Sequence, residues 1–224
     1  MTDERTVLAV GAHPDDEVLG PGATLAKHAA VGDDVHLLVV TEGATQQYDD
    51  RSIVERKRKE TRACADRLGA RSVRFGDLPD MMLDDVPHVE VNQVIEDAVD
   101  DLSPDVVYTH AATDVNLDHT AVHESTLVAT RPGSGVERVL AYEVPSSTDW
   151  APGAGYFDPT TYVDVTDRID TKIEAFAAYE TETREFPHPR SERAIRAWAT
   201  ARGGAAGSEA AEAFELLVER RLTP

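Results

Sequence analysis

The chain has 224 residues, enough for one large domain or two small ones with a sizeable core. No apolar stretch approaches the ~20 residues that a membrane span needs. The N-terminus lacks the pattern of a secretory signal, and one cysteine excludes an intramolecular disulfide. We therefore expect a cytoplasmic protein without a membrane span.

The charge of the chain is its first unusual property. Forty-two acidic residues against 22 basic ones give a net charge of −20, and only four of the bases are lysines. Such a balance argues against a nucleic-acid partner, because phosphate binding needs clustered Lys and Arg. Either the protein is an ordinary acidic one, or its surface is adapted to high salt. We favour the halophilic interpretation, because self-repulsion destabilises a compact fold unless salt screens it.

Hydrophobic periodicity predicts one domain, residues 1–224, in which strands and helices alternate. The predicted strands are 5–12, 35–41, 71–75, 105–110, 136–143 and 161–165, and the predicted helices are 23–31, 52–68, 89–102, 119–130, 169–179, 191–202 and 208–222. This order predicts an α/β fold with a mostly parallel sheet and helices on both faces. The last three helices are expected to form a C-terminal cap.

A polar cluster, His13-Pro14-Asp15-Asp16-Glu17, directly follows the first predicted strand. Pro14 fixes one backbone angle, so a single turn can aim His13 and Asp16 at one point. We expect the adjacent carboxylates of Asp15 and Asp16 to point in different directions, so that one can bind a metal while the other acts as an acid–base group. A solvated acidic turn would explain the same residues without any function.

A second cluster, residues 114–119, follows the strand that ends at His110. His119 opens a helix, preceded by Asp114, Asn116 and Asp118. Turn chemistry followed by a capped helix would explain this cluster by itself. Ligands of open α/β sheets bind at the carboxyl ends of the strands, however, and both clusters fall at such ends.

The two clusters together supply two imidazoles and one carboxylate, from His13, Asp16 and His119. This is a common ligand set for a catalytic divalent metal with an open water position. Zinc is the metal that we expect, and Fe(II) also fits.

The segments AVGAHPDDEVLGPGATLAKHAAVG and DVNLDHTAVH resemble the LmbE/PIG-L family of N-acetylglucosaminyl deacetylases. The C-terminal segment PHPRSERAIRAWATARGGAAGSEAAEAF is similar to the bacillithiol-type members. The resemblance implies a Rossmann-like sheet, one Zn²⁺, and hydrolysis of the acetamide of a small N-acetyl amino sugar. It also implies that His13, Asp16 and His119 bind the metal and that Asp15 is the general base. Members are often oligomeric, so a homo-oligomer is compatible with the resemblance.

The chain departs from the family at Asn116, where many members have a histidine that stabilises the oxyanion. Asn116 can still donate a neutral hydrogen bond, and Asp118 can orient a metal-bound histidine. The family also uses an arginine on the helix at 52–68 for substrate binding. The candidate substrate contacts here are Arg56, Arg58, His110 and Asp114.

Three alternative functions fit the sequence less well. One is an amidase acting on another amide, such as a thiol–sugar conjugate. A non-catalytic metal- or sugar-binding module would leave Asp15 without a role, and a nucleotide-binding protein would need the glycine fingerprint that is absent here.

The halophilic interpretation predicts that salt stabilises the fold. Between about 0.05 M and about 2 M KCl the screening length falls several-fold, so repulsion between surface carboxylates should largely disappear. We expect the Tm to rise steeply across this series in thermal melts. A Tm that stays flat or falls would show that the protein is simply acidic.

Overall fold

The computed structural model describes residues 4–44, 52–150 and 155–220. The strands are β1 (Thr6–Gly11), β2 (Asp34–Thr41), β3 (Ser72–Leu78), β4 (Val106–His110), β5 (Arg138–Tyr142), β6 (Thr161–Asp164) and β7 (Ala211–Glu219). The helices are α1 (Asp16–Leu19), α2 (Gly22–Val31), α3 (Ser52–Leu68), α4 (His88–Leu102), α5 (Leu117–Ala129), α6 (Ile169–Phe176) and α7 (Glu192–Ala206). No helix in these ranges is long and apolar enough to cross a membrane.

The strands form one sheet in the order β3-β2-β1-β4-β5-β7-β6. Strands β1 to β5 pair in parallel, and only β7 runs antiparallel to its neighbours β5 and β6. The predicted α/β class with a mostly parallel sheet is therefore confirmed.

Alternate residues of the central strands enter two separate cores. Val7 and Ala9 of β1 pack with side chains from α2, α3, α6 and α7. Leu8 and Val10 face the other way and pack against α4 and α5. This alternation follows from the two-residue period of a strand, and it explains why β1 is apolar from Val7 to Val10.

The prediction of a helix over 208–222 is wrong, because residues Ala211–Glu219 form β7. The segment is rich in Ala, Glu and Leu, which favour helices when only local propensity acts. Its backbone instead pairs with β5 on one side and β6 on the other, and Phe214 is fully buried in the core. Tertiary pairing thus overrides the local preference, and the cap is reduced to α6 and α7.

A buried ion pair ties β7 to the helices beside it. The Lys172 ammonium lies 2.7 Å from Glu212 Oε1 and also donates to the carbonyls of Leu19 and Gly20. The Glu212 carboxylate accepts from the first backbone N–H groups of α2 at 2.9 and 2.7 Å. Both side chains are about 95% buried, so each charge depends on the other.

We predict that Glu212→Ala strongly destabilises the fold. The variant leaves the Lys172 charge buried without its partner, which typically lowers the free energy of unfolding by about 3–5 kcal/mol. Urea denaturation measures the change. Glu192→Ala removes a carboxylate from an exposed pair with Arg196 and is the matched control, with an expected loss of at most about 1 kcal/mol. Equal effects of the two substitutions would contradict the prediction.

Candidate metal and catalytic site

The site lies where the chain order of the sheet reverses. The chain runs outward through β1, β2 and β3 and then returns to place β4 on the other side of β1. The loops after β1 and β4 therefore lie side by side at the carboxyl edge, at a topological switch point. This topology brings residue 13 next to residue 119.

The turn after β1 is held by its own polar groups and by a glycine. The His13 N–H donates to Asp16 Oδ2 at 2.8 Å, which aims the Asp16 carboxylate back along the turn. Gly43 has φ +72°, and a Cβ at this position would lie 2.6 Å from Pro14 Cδ. A larger residue at 43 would therefore displace the turn.

Three donor atoms from the two clusters converge. The distances are 3.2 Å from His13 Nδ1 to His119 Nε2, 3.3 Å from His13 Nδ1 to Asp16 Oδ2 and 3.4 Å from His119 Nε2 to Asp16 Oδ2. Tetrahedral ligands with bonds of about 2.0–2.1 Å to a metal lie about 3.3–3.4 Å from one another. The spacing and chemistry of these donors therefore fit a divalent metal.

The second nitrogen of each histidine contacts a carboxylate. His13 Nε2 lies 3.0 Å from Asp118 Oδ2, and His119 Nδ1 lies 3.0 Å from Asp114 Oδ2. Such outer carboxylates fix the tautomer and ring orientation of metal-binding histidines. Asp118 is held in turn by the N–H groups of Met81 and Leu83, at 2.8 and 3.0 Å.

The carboxylates around the two histidines stabilise positive charge in the cluster. Burial lowers the pKa of His13, but its contacts with Asp118 and Asp16 outweigh burial and raise the pKa to about 10. Burial likewise lowers the pKa of His119, yet Asp16 and Asp114 raise it to about 9. The same surroundings stabilise a bound cation.

Asp15 differs from Asp16 in direction and surroundings. Its backbone is in the left-handed region, with φ +114°, an uncommon conformation for a residue other than glycine. Its side chain lines a cavity and lies 3.1 Å from Arg190 Nη1. Burial raises the pKa of Asp15 to about 8, although Arg190 opposes the shift. The two adjacent aspartates thus face different partners, one the histidines and the other the cavity.

The cavity has a volume of about 340 Å³ and opens to solvent. The side chains around it come from several distant segments: His13, Pro14, Asp15, Lys57, Met81, Val115, Asn116, His119, Ser146, Ser147, Glu182 and Arg190. Its size suits a small molecule.

Asn116 lines the cavity and also caps α5. Its Oδ1 accepts from the Asp118 N–H at 2.9 Å, and its Nδ2 lies 3.6 Å from Met81 Sδ. The amide oxygen therefore caps α5, while the NH₂ group contacts the Met81 sulfur, which is a weak acceptor.

The four expected substrate contacts are not brought to the cavity. Arg56 is 51% exposed and pairs with the buried Glu60 and the exposed Glu180, and Arg58 pairs with Asp77. His110 is fully buried behind His119, where the two rings stack at 3.9 Å. Its Nε2 accepts from a backbone N–H, and burial lowers the pKa of His110 to about 4.

The remaining expected contact, Asp114, is also buried and supports His119. Its Oδ2 accepts hydrogen bonds from the hydroxyls of Ser147 and Thr148 at 3.0 and 2.8 Å. The Asp114 carboxylate therefore uses its hydrogen-bonding capacity on Ser147, Thr148 and His119, and not on a substrate in the cavity.

Sequence reasoning missed Lys57, Glu182 and Arg190, which line the cavity. The signal for Lys57 was present in the apolar stripe of α3. Its buried positions include Val54, Lys57, Thr61, Cys64 and Leu68. This spacing of three or four turns Lys57 inward and the two neighbouring arginines away. No comparable periodic pattern marks Glu182 or Arg190, which lie outside helices and strands, although Arg190 stands within the C-terminal segment that resembles the bacillithiol-type members.

Comparison with known proteins identifies the family of the chain. A family model described as PIG-L: GlcNAc-PI de-N-acetylase matches residues 8–130, more than half of the chain. The chain belongs to the PIG-L family, which confirms the resemblance noted in the sequence.

Individual relatives differ in activity. The uncharacterized deacetylase YaiS of Escherichia coli (strain K12) is 34% identical over 151 residues, covering 64% of this chain and 76% of YaiS. The 4-oxalmesaconate hydratase of Pseudomonas putida is 27% identical over 199 residues, covering 78% of this chain and 72% of the hydratase.

A solved structure supports the fold. The N,N'-diacetylchitobiose deacetylase from Pyrococcus horikoshii, complexed with its inhibitor MPG, superposes with a TM-score of 0.78 at 20% identity. The match covers 96% of this chain and 84% of that enzyme. Similarity at this identity bears on the fold alone.

Proposed function

We propose that this protein is a zinc-dependent N-deacetylase of a small amino sugar or glycoconjugate of the N-acetylglucosamine type. The proposal is carried by one observation, the convergence of His13, Asp16 and His119 beside a cavity that Asp15 also lines. The family description and the deacetylase relative YaiS support the reaction type.

The residues that would hold the metal are His13, Asp16 and His119. Two imidazoles and a carboxylate suit Zn²⁺, and Fe²⁺ is the alternative for the same set. When bound, such a metal acts as a Lewis acid toward the acetamide carbonyl and lowers the pKa of water toward ~7.

The protein supplies the proton transfers and the orientation. In this proposal the Asp15 carboxylate accepts a proton from the attacking water and returns it to the leaving amine nitrogen. Asn116 Nδ2 donates a hydrogen bond to the carbonyl oxygen as negative charge develops there. Asp118 and Asp114 keep the two imidazole rings in the orientation that the metal requires.

The hydratase relative raises a second reaction class, which the charges of the cavity disfavour. Lys57 Nζ lies 2.9 Å from Glu182 Oε1, and Arg190 pairs with both Glu182 and Asp15. These cavity-lining cations already pair with Glu182 and Asp15. A substrate rich in carboxylates would therefore have to compete with these two residues for the cations. A neutral sugar would not.

The decisive experiment is a screen for amine release. Purified protein would be assayed with N-acetylglucosamine, its glycosides and a thiol–sugar conjugate, with and without EDTA. EDTA-sensitive release of acetate and free amine from the sugars is the expected result. Release from the thiol conjugate alone would favour the amidase alternative, and turnover of an unsaturated dicarboxylate without amine release would favour a hydratase.

The metal centre predicts about one divalent metal per chain, measured by elemental analysis. His13→Ala, Asp16→Ala and His119→Ala should each lose the metal. Asp114→Asn removes only the carboxylate behind His119 and should weaken metal affinity by about 10–100-fold.

Asp33→Asn is the matched control for Asp114→Asn. It breaks an imidazole–carboxylate contact of 2.6 Å with His28, outside the site. We expect metal affinity equal to that of the wild type. Full metal occupancy in the three alanine variants would refute the ligand set.

Asp15→Asn should separate base catalysis from metal binding. The variant keeps the side-chain shape and the metal but loses the proton acceptor, so kcat should fall by about 10²–10⁴-fold. Metal content and Tm are measured on the same sample. Near-native turnover would exclude Asp15 as the base, and loss of metal would mean that the roles of the two aspartates are exchanged.

Asn116→Asp should separate catalysis from helix capping. Aspartate caps a helix as well as asparagine but has no NH₂ group. If Nδ2 donates to the developing oxyanion, kcat should fall by about 10²–10³-fold with unchanged metal content. Native kcat would show that Asn116 serves only as the cap.

A further inference from the structure

The strained backbone of Asp15 is held from the C-terminal part of the chain. The Asp15 N–H donates to Glu17 Oε2 at 3.2 Å, and the Glu17 carboxylate accepts from the Tyr179 hydroxyl. Glu17 is fully buried, so this contact is shielded from water. One support of Asp15 therefore comes from a residue 164 positions later in the chain, just after α6.

The Asp15 side chain has a separate support. Arg190 Nη1 lies 3.1 Å from Asp15 Oδ2 and 2.6 Å from Glu182 Oε2. The other oxygen of Glu182 lies 2.9 Å from Lys57 Nζ on α3. Charges of alternating sign thus run from α3, through the segment between α6 and α7, to the cavity wall.

The arrangement has a clear electrostatic reason. Asp15 is 2% exposed and lies next to Asp16 and near Glu17 and Glu182, all negatively charged when ionised. Like charges at such separations repel strongly when water is excluded. The Arg190 guanidinium is the cation in direct contact with the Asp15 carboxylate among the described residues.

We propose that Arg190 is the positioning residue for Asp15, holding its carboxylate on the cavity wall and away from the metal ligands. This inference rests on the proposed function, because it gives a role to the group that we assign as the base. Glu182 acts one step further away, since it pairs with Arg190, and Lys57 pairs with Glu182 in turn.

Arginine suits this position better than lysine. Its planar guanidinium is rigid and holds Nη1 near both Asp15 and Glu182, whereas an ammonium group is a point charge on a flexible stem. Because Arg190 is 29% exposed in the cavity, a direct contact with an anionic group of the substrate is the competing role.

Kinetics of Arg190→Met and Arg190→Lys distinguish the two roles. A misplaced base affects the chemical step, and a displacement of about 1 Å can lower the rate about 10²-fold. We expect Arg190→Met to lower kcat by that order with KM and metal content nearly unchanged, and Arg190→Lys to recover part of the loss. A rise in KM at constant kcat would instead indicate substrate binding and overturn the proposal.

Arg193→Met is the matched control. Arg193 lies three positions away, is exposed, and stacks over the Phe186 ring at 4.2 Å without touching Asp15. Native kcat and KM are expected. A loss equal to that of Arg190→Met would show that the segment is sensitive to any lost arginine, which would also overturn the proposal.

A double-mutant cycle tests whether Arg190 acts through Asp15. If it does, Arg190→Met should have almost no further effect in an Asp15→Asn background, because the group that it positions is already inactive. Independent effects that multiply would place the action of Arg190 elsewhere.

Crystal structures of the Arg190 variants give a readout that does not depend on activity. The Asp15 carboxylate should leave its place in Arg190→Met and keep it in Arg190→Lys. An unmoved Asp15 in Arg190→Met would refute the positioning role whatever the enzyme's substrate. If the wild type releases no amine from any amide, the proposed function fails and these structures decide the role of Arg190.

Discussion

One carboxylate oxygen, Asp16 Oδ2, connects the two halves of the site. It accepts the backbone N–H of His13 at 2.8 Å and lies 3.3 to 3.4 Å from a ring nitrogen of each of His13, His110 and His119. These contacts join the turn after β1 to the strand β4 and the helix α5. Burial raises the pKa of Asp16, but its contact with His119 outweighs burial and lowers the pKa, so the carboxylate stays ionised.

The geometry of this centre depends on the sheet. Strands β1 and β4 are neighbours in space although two other strands separate them in the chain. Side chains that leave adjacent parallel strands at the same edge must meet, whereas the same residues in a flexible chain would rarely do so. Asp114 and Asp118 then orient the two histidines from the outside.

The distribution of charge connects the interior to the surface. Two of the four lysines, Lys57 and Lys172, are buried and paired with Glu182 and Glu212. The surface is therefore even poorer in lysine than the composition suggests, which fits the halophilic interpretation without testing it. Inside the protein the same scarcity means that buried carboxylates rely on a few specific cations, Arg190 among them.

Local sequence signals determined most of the secondary structure. The apolar runs at β1 and β2, the amphipathic period of α3 and the glycine after it all predicted elements close to their observed bounds. The two polar clusters were also visible, because both directly follow predicted parallel strands, at the carboxyl ends where open α/β sheets bind ligands. From these signals the α/β class, the family and the convergence of His13, Asp16 and His119 could be expected.

Only the tertiary structure decided β7 and the cavity wall. The 211–219 segment has the composition of a helix, and the hydrogen bonds that make it a strand come from β5 and β6, far away in the sequence. Arg190 and Glu182 carry no periodic signal, since they lie outside helices and strands. Long-range packing brings Arg190 to Asp15 and Glu182 to Arg190. Local propensity acts over a few residues, whereas strand pairing and buried ion pairs depend on which distant segments the fold brings together.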